Sequence, residues 1–177
     1  MLRFFPSRTT HGIRVVFIDL DVDRSSSITR LQHAIDAMRS AGLEYDSLFR
    51  RIRQIIVWPG RFHYAGNDGG IRVSSHDVFA VDDVVLASVL VHEAMHLRIA
   101  ARGIVCEGAN QERIERLCVA MQARFLRLTP DTGEAMAQAL EAKLATPWWT
   151  PEKRAARMKR LYDDLHFPRW VRKLMPR

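Results

Sequence analysis

The chain has 177 residues, of which 47% are hydrophobic and 27% charged. That size and balance describe one soluble globular domain with a sizeable core. Net charge is +7, but residues 1–149 carry 18 basic and 17 acidic side chains while residues 150–177 carry 9 and 3, so the basic character belongs to the tail. No apolar run reaches the roughly 18 to 20 residues that span a bilayer. The N-terminal stretch lacks the long apolar region and small-residue cleavage site of a signal peptide, so the cytoplasm is the expected location. Cys106 and Cys118 are too few for a disulfide framework and are expected as reduced thiols.

Ile13 to Leu20 is rich in β-branched residues and predicts a strand. The following DLDVD places Asp19, Asp21 and Asp23 as at the start of a calcium loop, but Arg24 stands where that loop needs Gly and Arg30 where it needs Glu. Calcium is therefore rejected, and the acids are expected to face solvent. A serine run then precedes Ile28, Leu31, Ile35 and Met38 at helical spacing, with Gly42 as the stop. A shorter helix is expected from Tyr45 to Gln54, a strand in QIIVW before Pro59-Gly60, a tight turn over residues 66–70 and a strand from Ile71 to Ser75. From residue 83 the pattern is helical only. Val84 to Arg102 is apolar nearly all round and predicts a central helix; Ala109 to Leu128 predicts a second. Residues 131–145 form an Ala-rich third. Thr150 with Pro151 starts a fourth, whose apolar stripe includes Met158, Leu161 and Leu165. Strands and helices followed by helices alone make an α+β domain, with a strand and helix part over 1–82, a helix pair over 83–128 and a helical basic extension over 129–177.

The central helix carries His92-Glu93-Ala94-Met95-His96, an H-E-x-x-H motif. Histidines four apart lie about 40° apart on one helix face and can both reach one metal ion. Glu93 lies about 100° round from His92, placed to act on water without ligating the metal. Val85, Val89 and Ile99 share the histidine face, so that face is expected to be buried. Three ionisable groups in apolar surroundings each need a partner, and a metal satisfies the two histidines together. A catalytic zinc site needs a third protein ligand and an open position. No histidine follows until His166, so Glu107, Glu112 and Glu115 are the candidates. Helix phase favours Glu115, which falls inside the arc extended from Ile114, Leu117, Cys118, Met121 and Phe125 by Val119 and Leu126. Glu112 falls at the polar edge and is second.

His92-Glu93-x-x-His96, then 18 residues, then Glu115 resembles the gluzincin pattern of zinc metallopeptidases. The resemblance covers about Ile71 to Leu128. It implies a small zincin-like fold, Zn²⁺ on His92, His96 and Glu115, and Glu93 as the general base that cleaves a peptide or similar amide. It also implies that the strand Ile71 to Ser75 is the sheet edge on which an extended peptide or protein substrate pairs. Several members carry an Asp three or four residues after the ligand Glu to orient a zinc histidine; here Cys118 and Val119 stand there. An oxyanion donor is expected among His63, Tyr64, Tyr162 and His166. Two other readings compete: a zinc-binding regulatory or interaction protein that keeps the fold without turnover, and a basic module binding a membrane surface or nucleic acid through residues 150–177. In that tail Trp148, Trp149 and Trp170 accompany the nine basic residues, and a weak contact with an anionic surface is the corresponding expectation.

Overall fold

The computed structural model describes residues 5–19, 21–60, 63–66, 68–129 and 133–145, with residues 150, 152, 153 and 156. Five strands form one mixed sheet in the order β1-β2-β3-β5-β4: β1 (Ser7–Thr10), β2 (Ile13–Phe17), β3 (Gln54–Trp58), β4 (Tyr64–Ala65) and β5 (Gly70–Ser74). The helices are α1 (Arg24–Ser40), α2 (Leu43–Phe49), α3 (Ser75–Ala80), α4 (Asp83–Ala100), α5 (Ala109–Leu126) and α6 (Gly133–Lys143). The α+β class expected from the sequence holds.

β1 and β2 form an antiparallel hairpin closed by His11 and Gly12, both at positive φ (49° and 78°). That pair of conformations matches the right-handed twist of the flanking strands. β2, β3 and β5 are parallel neighbours, with Val15 opposite Ile55 and Ile55 opposite Ile71. The period of two turns Ile13, Val15 and Phe17 to one face, with Ile55, Val57, Ile71 and Val73. Against that face α1 packs Leu31, Ile35 and Met38, and α4 packs Leu86, Leu90, Ala94 and Leu97. Val16, Ile56 and Trp58 point to the opposite face, where Phe5 and Ile18 meet them.

Asp21 and Asp23 are exposed as expected, whereas Asp19 is partly buried. Asp23 caps α1, its Oδ1 accepting from the N–H groups of Ser25 and Ser26 at 3.0 and 3.3 Å. Asp19 accepts a hydrogen bond from the Ser75 hydroxyl at 2.5 Å, tying the end of β2 to the start of α3.

The edge expected over Ile71–Ser75 is corrected: β5 lies inside the sheet, and β4 is the edge strand. The turn over residues 66–70 folds the chain back antiparallel. Gly66 N–H donates to the Gly70 carbonyl at 2.7 Å, and Tyr64 and Ala65 then pair with Arg72 and Ile71. The predicted strand also stops one residue early, because Ser74 caps α3 by accepting from Asp77 N–H. The second helix, expected to reach Gln54, ends at Phe49, where Arg50 N–H donates to the Asp46 carbonyl and Arg51 N–H to the Leu48 carbonyl.

Thr150 accepts from Lys153 N–H at 3.4 Å, in keeping with its expected cap role. The stripe of the predicted fourth helix, the tail tryptophans, Tyr162 and His166 lie outside the described residues. No helix among the described residues is long and apolar enough to cross a membrane.

Candidate metal centre

α4 lies between α1 and α5, and its sequence explains why. Leu86, Leu90, Ala94 and Leu97 make a continuous buried stripe toward the sheet and α1. His92 and His96 sit on a neighbouring stripe with Val85 and Val89. Of the face expected to be buried, Ile99 is buried while Val85, Val89 and the histidines are partly covered, the histidine side chains being 12% and 15% exposed. Glu93 is more deeply buried than either histidine.

α5 brings the third group. Glu115 is buried beside Ile114, Cys118 and Val119, within the arc that helix phase assigned to it. Leu117, counted in that arc from the sequence, is 46% exposed because it points away from α4. Glu112 is turned outward and holds Arg116 at 2.9 Å. Glu107 is exposed in the connection between the helices.

The three groups converge on one point. His92 Nε2 and His96 Nε2 are 3.3 Å apart, and Glu115 Oε2 lies 3.5 Å from the first and 3.6 Å from the second. Glu115 Oε2 is buried and has no hydrogen-bond partner among the described residues. Burial works against the Glu115 charge, but the two imidazoles hold its pKa down at about 2. Burial likewise opposes charge on His96, yet the neighbouring Cys106 and Cys118 thiols and the Glu115 carboxylate raise its pKa overall. Glu115 and His96 thus favour each other's charged forms, with the two thiols adding to the rise at His96.

Two residues of the centre carried no signal in the motif. Cys118 is fully buried, and its sulfur and the metal-binding atoms of His92 and His96 all lie within 4.8 Å of one another. These three side chains form a group that could hold a metal ion. Gln122, a further turn along α5, accepts from His92 Nδ1 through Oε1 at 3.2 Å and donates through Nε2 to Ser88 Oγ at 3.0 Å. The Ser88 hydroxyl donates in turn to the Val85 carbonyl at 2.7 Å. Cys118 is three positions after Glu115 and Gln122 seven, so α5 offers all three from one face.

Among the oxyanion candidates, His63 lies beside Glu93 and His92, but both of its ring nitrogens are engaged. Its Nε2 is 2.9 Å from an Asp77 carboxylate oxygen, and its Nδ1 accepts from Ser74 N–H at 3.4 Å. Burial lowers its pKa, with Asp77 and Glu93 opposing, so the ring is neutral and fills both roles at once. Tyr64 is a packing residue: its ring meets Trp58 edge-on at 5.5 Å and lies under the Arg72 guanidinium.

No protein-family model, curated protein or solved structure matches the chain.

Proposed function

We propose that the protein is a zinc-dependent, peptidase-like hydrolase, with Zn²⁺ held by His92, His96 and Glu115 and with Glu93 as general base. The observation that carries this reading is the triangle of facing donor atoms, with sides of 3.3, 3.5 and 3.6 Å. Bonds of roughly 2.0–2.1 Å in a tetrahedral set place neighbouring donors about 3.3–3.4 Å apart. The three atoms therefore already have nearly the separation that one zinc ion requires. The orphaned Glu115 oxygen points the same way, since a buried carboxylate oxygen without a donor wants a cation.

Zinc supplies Lewis acidity when bound, lowering the pKa of a water and polarising a carbonyl. Glu93, one residue past His92 and buried on α4, takes the proton from the attacking water and passes it to the leaving amine nitrogen. His92 is held in one tautomer by Gln122, so its Nε2 lone pair faces the other donors. The substrate class is a peptide or protein.

Glu93→Gln tests the assignment because it keeps the shape of the side chain and removes the base. The expected result is unchanged zinc content and a fall in hydrolysis of a fluorogenic peptide library by roughly a hundredfold or more. Equal activity with equal zinc would refute the role of Glu93.

A further inference from the structure

The reach of Cys118 goes beyond a three-ligand site. Its sulfur is completely buried and lies within 4.8 Å of the metal-binding atoms of both histidines. It stands one helical turn after Glu115 on α5, so it faces α4 from the same stripe. A small apolar residue would fill that position without adding a donor. A thiol adds a strong, soft one, and it does so where two imidazoles and a carboxylate already converge.

We propose that Cys118 is a fourth protein ligand of this centre, so that the resting protein holds its metal in a closed His92, His96, Glu115 and Cys118 set. This rests on the metal reading of the two histidines and Glu115. On binding, the thiol loses its proton to solvent and the sulfur lone pair forms the bond to the metal. Four protein donors are the ligand set of a structural site, and three leave a position for water. The hydrolysis proposed above then requires the Cys118 sulfur to leave the metal, which opens a position for water. The thiolate also sets the choice of ion: zinc, cadmium and cobalt are favoured over magnesium, calcium and manganese.

Cys106 is the one other cysteine, and it packs against Cys118 with Ile99 and Ile114, so the experiment must separate the two sulfurs. The full chain is loaded with cobalt(II) alone. Wild type and Cys106→Ser are expected to show an intense near-ultraviolet thiolate-to-cobalt absorption band. Cys118→Ser is expected to bind cobalt without that band, and to bind zinc and cadmium roughly tenfold or more weakly. X-ray absorption of the zinc-loaded wild type needs no variant and is expected to show one sulfur neighbour at about 2.3 Å. Cobalt bound by wild type without the band, zinc without a sulfur neighbour, or a band that survives in Cys118→Ser overturns Cys118 as a ligand and leaves the centre standing. A wild type that binds neither cobalt nor zinc overturns the centre itself.

Discussion

The proton of the Ser88 hydroxyl is committed to the Val85 carbonyl, which can only accept. Ser88 Oγ must therefore accept from Gln122, which turns the amide nitrogen toward Ser88 and the amide oxygen toward His92. His92 Nδ1 is then the donor, and Nε2 carries the free lone pair. A helix carbonyl thus fixes a tautomer through two neutral side chains. Gln122→Leu breaks this relay while keeping most of the volume. The affinity for zinc, read by competition with a coloured chelator, is expected to fall about 10- to 100-fold. Gln122→Glu keeps an acceptor at the same place and is expected to hold zinc far better than the Leu variant. Equal affinity in all three proteins would contradict the relay. The meeting of His92, His96 and Glu115 was legible in the sequence because motif spacing and helix phase are local properties. Gln122 was not, since a neutral amide carries no signature of metal chemistry and its value depends on Ser88, thirty-four residues away. The resemblance directed attention to an acid three or four residues after Glu115; the orienting group stands seven residues after it instead.

At the level of elements, α4 serves two neighbours at once. One stripe, Leu86, Leu90, Ala94 and Leu97, is buried in the main core with Leu31 and Ile35 of α1. The adjoining stripe presents His92 and His96 to α5. The position of the histidines is therefore set by packing on the side away from α5. Leu90 is fully buried. Leu90→Ala removes a branched side chain from a close-packed interior and is expected to cost about 2–5 kcal/mol in chemical denaturation. A loss below about 1 kcal/mol would show that α4 is not anchored as described. This two-sided character was readable as a helix apolar nearly all round. The strands β2, β3 and β5 and helices α1, α5 and α6 were equally readable from periodicity. Three short elements escaped: β1, β4 and α3. Ser7–Thr10 has no apolar alternation of its own and becomes a strand by pairing with β2. Tyr64–Ala65 is two residues long and exists as a strand through the turn that returns it to β5. Ser75–Ala80 is one and a half turns held by the Ser74 cap and the Asp19 bond to Ser75. The sheet edge implied by the resemblance was wrong because an edge is a property of neighbours, and β4 covers β5.

For the whole molecule, the proposed metal would clasp two helices that the fold already places side by side. α4 and α5 are joined by residues 101–108, an exposed connection with Gly103 and Gly108 at positive φ (75° and 53°), where a residue bearing a Cβ would be strained. Ile99, Ile114 and Cys118 pack together near that connection, but most of the core lies on the sheet side of α4. A metal bound by residues of both helices adds a crosslink to a pair of helices that already pack against each other. Binding to the folded state alone stabilises by about 2.7 kcal/mol when free metal is a hundred times the dissociation constant. For a chain of this size that raises the melting temperature by roughly 5–11 °C, at about 2–4 °C per kcal/mol. The measurement is a thermal scan with excess zinc and again with chelator. Wild type is expected to show the full shift. Glu93→Gln is expected to show it too, since Glu93 is not a ligand in this reading. His92→Ala and Glu115→Ala are expected to lose most of it. The comparison separates holding the metal from using it, because hydrolysis depends on Glu93 while the clasp depends on the donors around it. Equal melting temperatures for wild type with zinc and with chelator would show that the donors do not act together on one ion.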